Sequence, residues 1–175
     1  DPIEPFSLYG ETKGAGEDWG RSICSRSFIV IMNFFGWSRE GHKSVLEFFV
    51  NSLRSGLRVQ GYPDFVVTSI YVRQLLSLLW QLDATDFLGT VHVTSRDKLS
   101  KYDFGVTAAK VFGLDPSLIE RQSAASAKHT TSRVRDLSLS TRLGETLLGH
   151  VLPSQFEGLR AAHADEPSIP GELRG

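Results

Sequence analysis

The sequence predicts an α/β fold, because short apolar strands alternate with helices along most of the chain. Two segments carry that expectation. Ser27-Phe-Ile-Val-Ile-Met32 is a continuous, β-branched run of the kind buried on both faces of a parallel sheet. Gly89 to Thr94 alternates as Thr-Val-His-Val-Thr and reads as a second strand. Two convincing strands are too few for a self-sufficient doubly wound sheet, so the sequence reads as one part of such a sheet.

The elements follow in order. Two prolines within residues 1–8 predict an irregular entry. A helix is expected over 7–18, although Gly10, Gly14 and Gly16 each cost it about 1 kcal/mol against Ala. A helix that keeps three glycines implies close approach by another element or a ligand. After the first strand, Lys43 to Ser55 places Val45, Leu46, Phe48, Phe49 and Leu53 at helical spacing, and Gly56 ends the run. Arg58-Val-Gln and Val66–Ile70 read as short strands around a Gly-Tyr-Pro-Asp turn, and Tyr71–Leu82 as an apolar helix. Ser100, with Asp103 three residues on, caps a helix through Phe112 that Gly113 stops. Asp115-Pro116 opens a short helical turn. Residues 121–132, rich in Ser, Thr and Ala, predict a mobile loop, Thr141–Leu148 a short helix, and 163–175 a frayed tail.

Composition excludes several classes. The 175 residues are 41% hydrophobic and 22% charged, a balance that supports a packed core. Net charge is −1, from 19 basic and 20 acidic residues, with no basic stripe, so neither nucleic acid nor a membrane surface is indicated as a partner. The single cysteine, Cys24, rules out an internal disulfide and a Cys-based zinc site, which fits a reducing, cytoplasmic setting. His42, His92, His129, His150 and His163 are dispersed, so no metal site is indicated. The start, Asp-Pro-Ile-Glu-Pro, lacks the basic and apolar regions of a signal peptide and reads as the middle of a longer protein.

The sharpest chemical feature is the pair Tyr9 and Lys13, four residues apart on one helix face. A phenol with a pKa near 10 is a weak acid–base catalyst at neutrality. A neighbouring ammonium stabilises the phenolate and tunes it toward working pH. The same ammonium can also donate hydrogen bonds to ribose hydroxyls. Hydride addition to a ketone needs such a proton donor, because the oxygen gains negative charge as the hydride arrives. By itself Tyr-x-x-x-Lys occurs often by chance.

Its surroundings sharpen it. Pro5-Phe-Ser-Leu-Tyr-Gly-Glu-Thr-Lys-Gly-Ala-Gly-Glu17 resembles the Pro-x-x-x-Tyr-Gly-x-Ser/Thr-Lys-x-x-Gly-Glu signature of extended short-chain dehydrogenases/reductases, nearest to their dTDP-4-dehydrorhamnose reductase branch. The likeness runs in order over about residues 2–160. It implies the C-terminal part of a Rossmann-like doubly wound parallel sheet plus a small α/β substrate-binding lobe over 1–162, with the N-terminal cofactor-binding half missing. It also implies that Tyr9 is the proton donor and that Lys13 lowers its pKa, the two together forming the catalytic pair and touching a NAD or NADP cofactor. Asn33 falls where relatives often touch the substrate sugar or its phosphates, although it could equally cap a strand end. Arg133 falls where a guanidinium can grip the substrate diphosphate, although it could equally be a surface-loop arginine. His92 reads as a packed core residue rather than a ligand.

Three departures stand out. Val30 replaces the relatives' strand arginine, Val134 replaces a proline, and Thr68-Ser-Ile-Tyr-Val-Arg-Gln-Leu75 lacks the usual Pro and second Asp. No Gly-x-Gly-x-x-Gly phosphate loop is present, since Gly14, Gly16 and Gly20 have the wrong spacing and no preceding strand. The resemblance thus implies NAD(P)H-dependent reduction of a nucleotide-linked 4-keto sugar by a parent protein that joins this chain to its N-terminal half. It admits a homodimer. A nucleotide-sugar epimerase or dehydratase, and a non-catalytic binding or regulatory protein on the same fold, are the rival readings.

Overall fold

The computed structural model describes residues 8–24, 26–124 and 136–166, and within them the fold is α/β as expected. Helix α1 spans Leu8–Ile23, beyond the expected end at residue 18, with an Arg21–Glu17 ion pair in its last turns. Strand β1 (Phe28–Ile31) runs parallel to β6 (Gly89–His92), in a register that pairs Ile31 with His92. Short strands β2 (Phe34–Phe35) and β5 (Ile70–Tyr71) form a second parallel pair. Strands β3 (Val59–Gly61) and β8 (Ile119–Arg121) make a third. Strand β4 (Val66–Val67) lies between antiparallel β7 (Leu99–Ser100) and parallel β9 (Asp136–Leu137).

The remaining helices build two cores. The first is closed by α2 (Val45–Arg54), α4 (Lys101–Val111) and α6 (Gln155–Asp165), with Phe35, Phe49, Phe104 and Leu159 at its centre. The second lies where α3 (Val72–Asp83) covers the β1–β6 pair, through Leu75, Leu78, Leu82, Val91, Val93 and Leu152. Adjacent residues of β5 join them, since Ile70 enters the second core and Tyr71 the first. The first core is tightly packed. A Cβ on Gly105 would stand 2.5 Å from the Phe49 ring, so only glycine lets α4 approach α2 this closely.

Local signals explain the helix starts. Ser44 caps α2 and accepts from Glu47 N–H, while the Glu47 carboxylate returns to the Ser44 N–H. Ser100 caps α4 by accepting from Asp103 N–H at 3.0 Å, as the sequence predicts. Asp115 and Pro116 open a single 3-10 turn rather than an α-helical one. Helix α5 (Arg142–Leu148) ends at Gly149, whose φ of 72° is the left-handed conformation that glycine adopts without strain.

Four expectations need correction. Residues 163–166 are not a frayed tail, because α6 runs to Asp165 and Glu166 pairs with Arg54. A second capping box, Ser154 with Glu157, starts this helix. The expected loop 121–132 begins later, since Arg121 closes β8 against Gly61, and residues 125–132 lie outside the described part. Strand β1 is half-buried rather than buried on both faces. Phe28 and Val30 pack into the second core, alternation turns Ile29 and Ile31 away from it, and one edge of β1 pairs with no described strand. His92 is likewise half-buried, lining a groove beside α5 with its Nδ1 3.1 Å from the Ser140 carbonyl.

Candidate functional site

Parallel strands bring their carboxyl ends to one edge, where open α/β sheets bind ligands. At that edge the chain leaves β1 through Asn33. Its carbonyl accepts from Ile70 N–H at 3.0 Å and from Thr94 Oγ1 at 3.4 Å. Asn33 is therefore held by main chain from β5 and by the residues that follow β6, and it is exposed. Behind it lies a buried polar shelf of Thr68, Ser69, Thr94 and Ser95. Ser95 Oγ accepts from Ser69 N–H at 2.9 Å and donates to the Asp97 carbonyl at 2.7 Å. Such a shelf fixes the loops without leaving buried polar groups unpaired.

Tyr9 and Lys13 both lie on α1, one turn apart, and Lys13 is exposed. Helix α1 carries Leu8, Trp19 and Ile23 each more than 70% exposed. A Cβ on Gly16 or Gly20 would meet nothing within 4 Å among the described residues. The close approach that the glycines imply is therefore not supplied at Gly16, whereas Gly14 is buried. Arg133 lies outside the described residues.

A groove that sequence reasoning missed opens a few residues beyond Asn33. The Ser44 hydroxyl donates to the Gly36 carbonyl, which ties the start of α2 to the segment leaving β2. From there the groove, with a volume of about 670 Å³, runs between the α2 N-terminus and β3. Its walls include Lys43, Phe48, Arg58, Gln60, Tyr62 and Lys101. The Lys101 ammonium stands 4.4 Å from the centre of the Phe65 ring, and burial pulls its pKa below the ordinary lysine value. Arg58 pairs with Glu120 at 3.1 Å, and Lys43 with Glu40 at 2.6 Å. Cations beside aromatic faces suit a group that is anionic at one end and a flat ring at the other. The groove escaped notice because its residues come from three separated segments without a local motif.

The α2 N-terminus itself is closed to an anion. The fully buried Glu47 carboxylate, in the first turn, accepts from the N–H groups of Ser38, Lys43 and Ser44, and Ser44 Oγ accepts from Glu47 N–H, so the positive end of α2 already faces a carboxylate that would repel a second anion. The groove's anion affinity therefore rests on its side chains. Among the described residues, no group of His, Cys, Asp and Glu could hold a metal ion, and no helix is long and apolar enough to cross a membrane.

The described residues thus form an α/β unit with two cores joined through β5, a polar edge at the strand ends and a helix that carries Tyr9 and Lys13. The chain belongs to the family described as the RmlD substrate binding domain, which matches residues 1–166. It is 26% identical over 167 residues to a probable low-salt glycan biosynthesis reductase, Agl14, of Haloferax volcanii, covering 94% of this chain and 56% of that protein. Its fold matches dTDP-4-dehydrorhamnose reductase of Bacillus anthracis, solved with NADP, at a TM-score of 0.83 and 20% identity, covering 93% of this chain and 57% of that one. It also matches UDP-glucose 4-epimerase of Thermotoga maritima, solved with UDP-glucose, at a TM-score of 0.75 and 15% identity, covering 94% and 55%. The chain thus spans about half the length of the relatives it matches.

Proposed function

We propose that the chain is the substrate-binding and proton-donating half of an NAD(P)H-dependent reductase acting on a nucleotide-linked 4-keto sugar. The single observation that carries this reading is the Tyr9–Lys13 pair, set on the helix that precedes β1 in a chain of this family. A nicotinamide cofactor supplies a hydride to the ketone carbon. The Tyr9 hydroxyl gives its proton to the ketone oxygen as charge develops there. Lys13 stabilises the resulting phenolate and donates to the cofactor's ribose, a role its exposure on α1 allows.

The substrate's sugar lies at Asn33, and its nucleotide fills the groove between α2 and β3, where Arg58 and Lys101 face the diphosphate. Arg133 contributes to the same diphosphate. The cofactor's phosphates need a Gly-rich loop that this sequence does not contain, so the reaction requires an N-terminal partner half. The open edge of β1 and the bare face of α1 support that requirement, as surfaces such a half would cover.

Nucleotide binding tests the substrate part. Titration of dTDP and UDP into the protein by calorimetry is expected to give saturable binding, weakened about tenfold or more by Lys101→Gln or Arg58→Gln. Equal affinity in wild type and both variants would place the nucleotide elsewhere.

A further inference from the structure

Every carboxylate of helix α6 and its C-cap is neutralised by a basic residue of another element. Glu157 pairs with Arg96 at 2.8 Å, Asp165 pairs with Arg73 at 2.9 Å and accepts from the Tyr71 hydroxyl at 2.7 Å, and Glu166 pairs with Arg54. Burial and the bond to Asp165 raise the Tyr71 pKa, so its hydroxyl remains a donor at neutral pH. Phe156, Arg160, His163 and Ala164 fall on one helical stripe and, with Lys110 and Val111 of α4, line a groove of about 440 Å³. Glu157 borders this stripe and is paired with Arg96. Lys110 and Arg160 are exposed and reach no carboxylate among the described residues, so they give the groove a local excess of positive charge. Phe156, on the same stripe, is 49% exposed.

The groove is also rigid. Trp37 Nε1 donates to the Ala162 carbonyl at 2.8 Å, the His163 ring stands edge-on to Phe112 at 4.7 Å, and the Ser154–Glu157 box fixes the helix start. A preformed groove holds a ligand at low ordering cost. At the α6 start, Ser154 Oγ accepts from Glu157 N–H, the Glu157 carboxylate from Ser154 N–H and the Asp97 carboxylate from Gln155 N–H, so the groove's positive charge comes from side chains spread along an apolar strip.

We propose that the α4–α6 groove docks an acidic segment of a partner protein that carries an apolar anchor. Carboxylates of that segment meet Lys110 and Arg160, and its apolar side chain packs on Phe156, Val111 and Ala164. None of these residues lines the α2–β3 groove, so the inference stands independently of the proposed reaction.

The test is fluorescence anisotropy with a labelled peptide of Asp and Glu residues around one Phe and one Leu. Saturable binding at low salt is expected, about tenfold weaker or more in Lys110→Glu/Arg160→Glu and in Phe156→Ser, with all variants keeping the wild-type melting curve. Three results would overturn the inference: no saturable binding, equal binding by the variants, or equal binding of a peptide whose Phe and Leu are replaced by Ser. Full displacement of the peptide by anionic phospholipid vesicles would also overturn it, in favour of a membrane surface.

Discussion

Tyr9→Phe is expected to cut ketone reduction by the complete protein about 100- to 10,000-fold while leaving cofactor affinity within a factor of about three. Phe keeps the ring and removes only the hydroxyl that carries the transferable proton. The loss should fall on kcat rather than on KM, because the proton moves only in the transition state. On the proposed reading, in which Lys13 serves both the phenol and the ribose, Lys13→Met should give a smaller fall in kcat together with weaker cofactor binding. A Tyr9→Phe protein with wild-type turnover would remove Tyr9 as donor and favour a non-catalytic binding protein on the same fold. The replacements at Val30 and Val134 and the altered Thr68–Ile70 segment already lean toward that reading.

Glu47→Ala carries the largest expected effect on stability. The carboxylate is fully buried and accepts from the N–H groups of Ser38, Lys43 and Ser44 and from the Ser38 hydroxyl. Its removal leaves those donors without a partner and deletes one half of the α2 capping box. The loss should be about 2–4 kcal/mol, or a fall in Tm of roughly 5–12 °C. Glu47→Gln keeps one acceptor oxygen and should lie between. Because the same bonds shape the start of α2, nucleotide binding in the neighbouring groove should weaken in parallel. An unchanged melting curve, followed by near-ultraviolet circular dichroism, would contradict this role of Glu47.

Much of the architecture was legible where signals are local. The Ser100 cap, the amphipathic run in α2 and the β-branched strand β1 each announce themselves within a few residues. Helix α6 was not read because its buried face is Gln155, Gly158, Leu159 and Ala162, with Leu159 the one large apolar residue among them, which gives a weak hydrophobic period. Its capping box, Ser154 with Glu157, was the available signal. Strands β2 and β5 have two residues each, too few for any alternation, and they are strands only through their pairing with each other across the stretch of chain from Phe35 to Ile70. The half-buried state of β1 could not be read from its composition either. Burial depends on which neighbours are present, and β1 pairs with β6 alone among the described strands.

The candidate site divides in the same way. Tyr9 and Lys13 are four apart in sequence, so a pattern finds them. Asn33 was found through the resemblance, and the structure adds that Ile70 and Thr94 hold its carbonyl. Arg58 and Lys101 are brought together only by the packing of α2, β3 and α4, which no local pattern encodes.

The central claim is net transfer of a hydride to a nucleotide-linked ketone with Tyr9 as proton donor. It is tested most directly by incubating the complete protein with nicotinamide cofactor deuterated at the transferred position and a nucleotide-linked 4-keto sugar, then locating the label by mass spectrometry and NMR. The account predicts one deuterium on the former ketone carbon, with an equal amount of oxidised cofactor released. A product without deuterium, or a cofactor that returns unchanged after the sugar has been altered, would contradict it in favour of an epimerase or dehydratase.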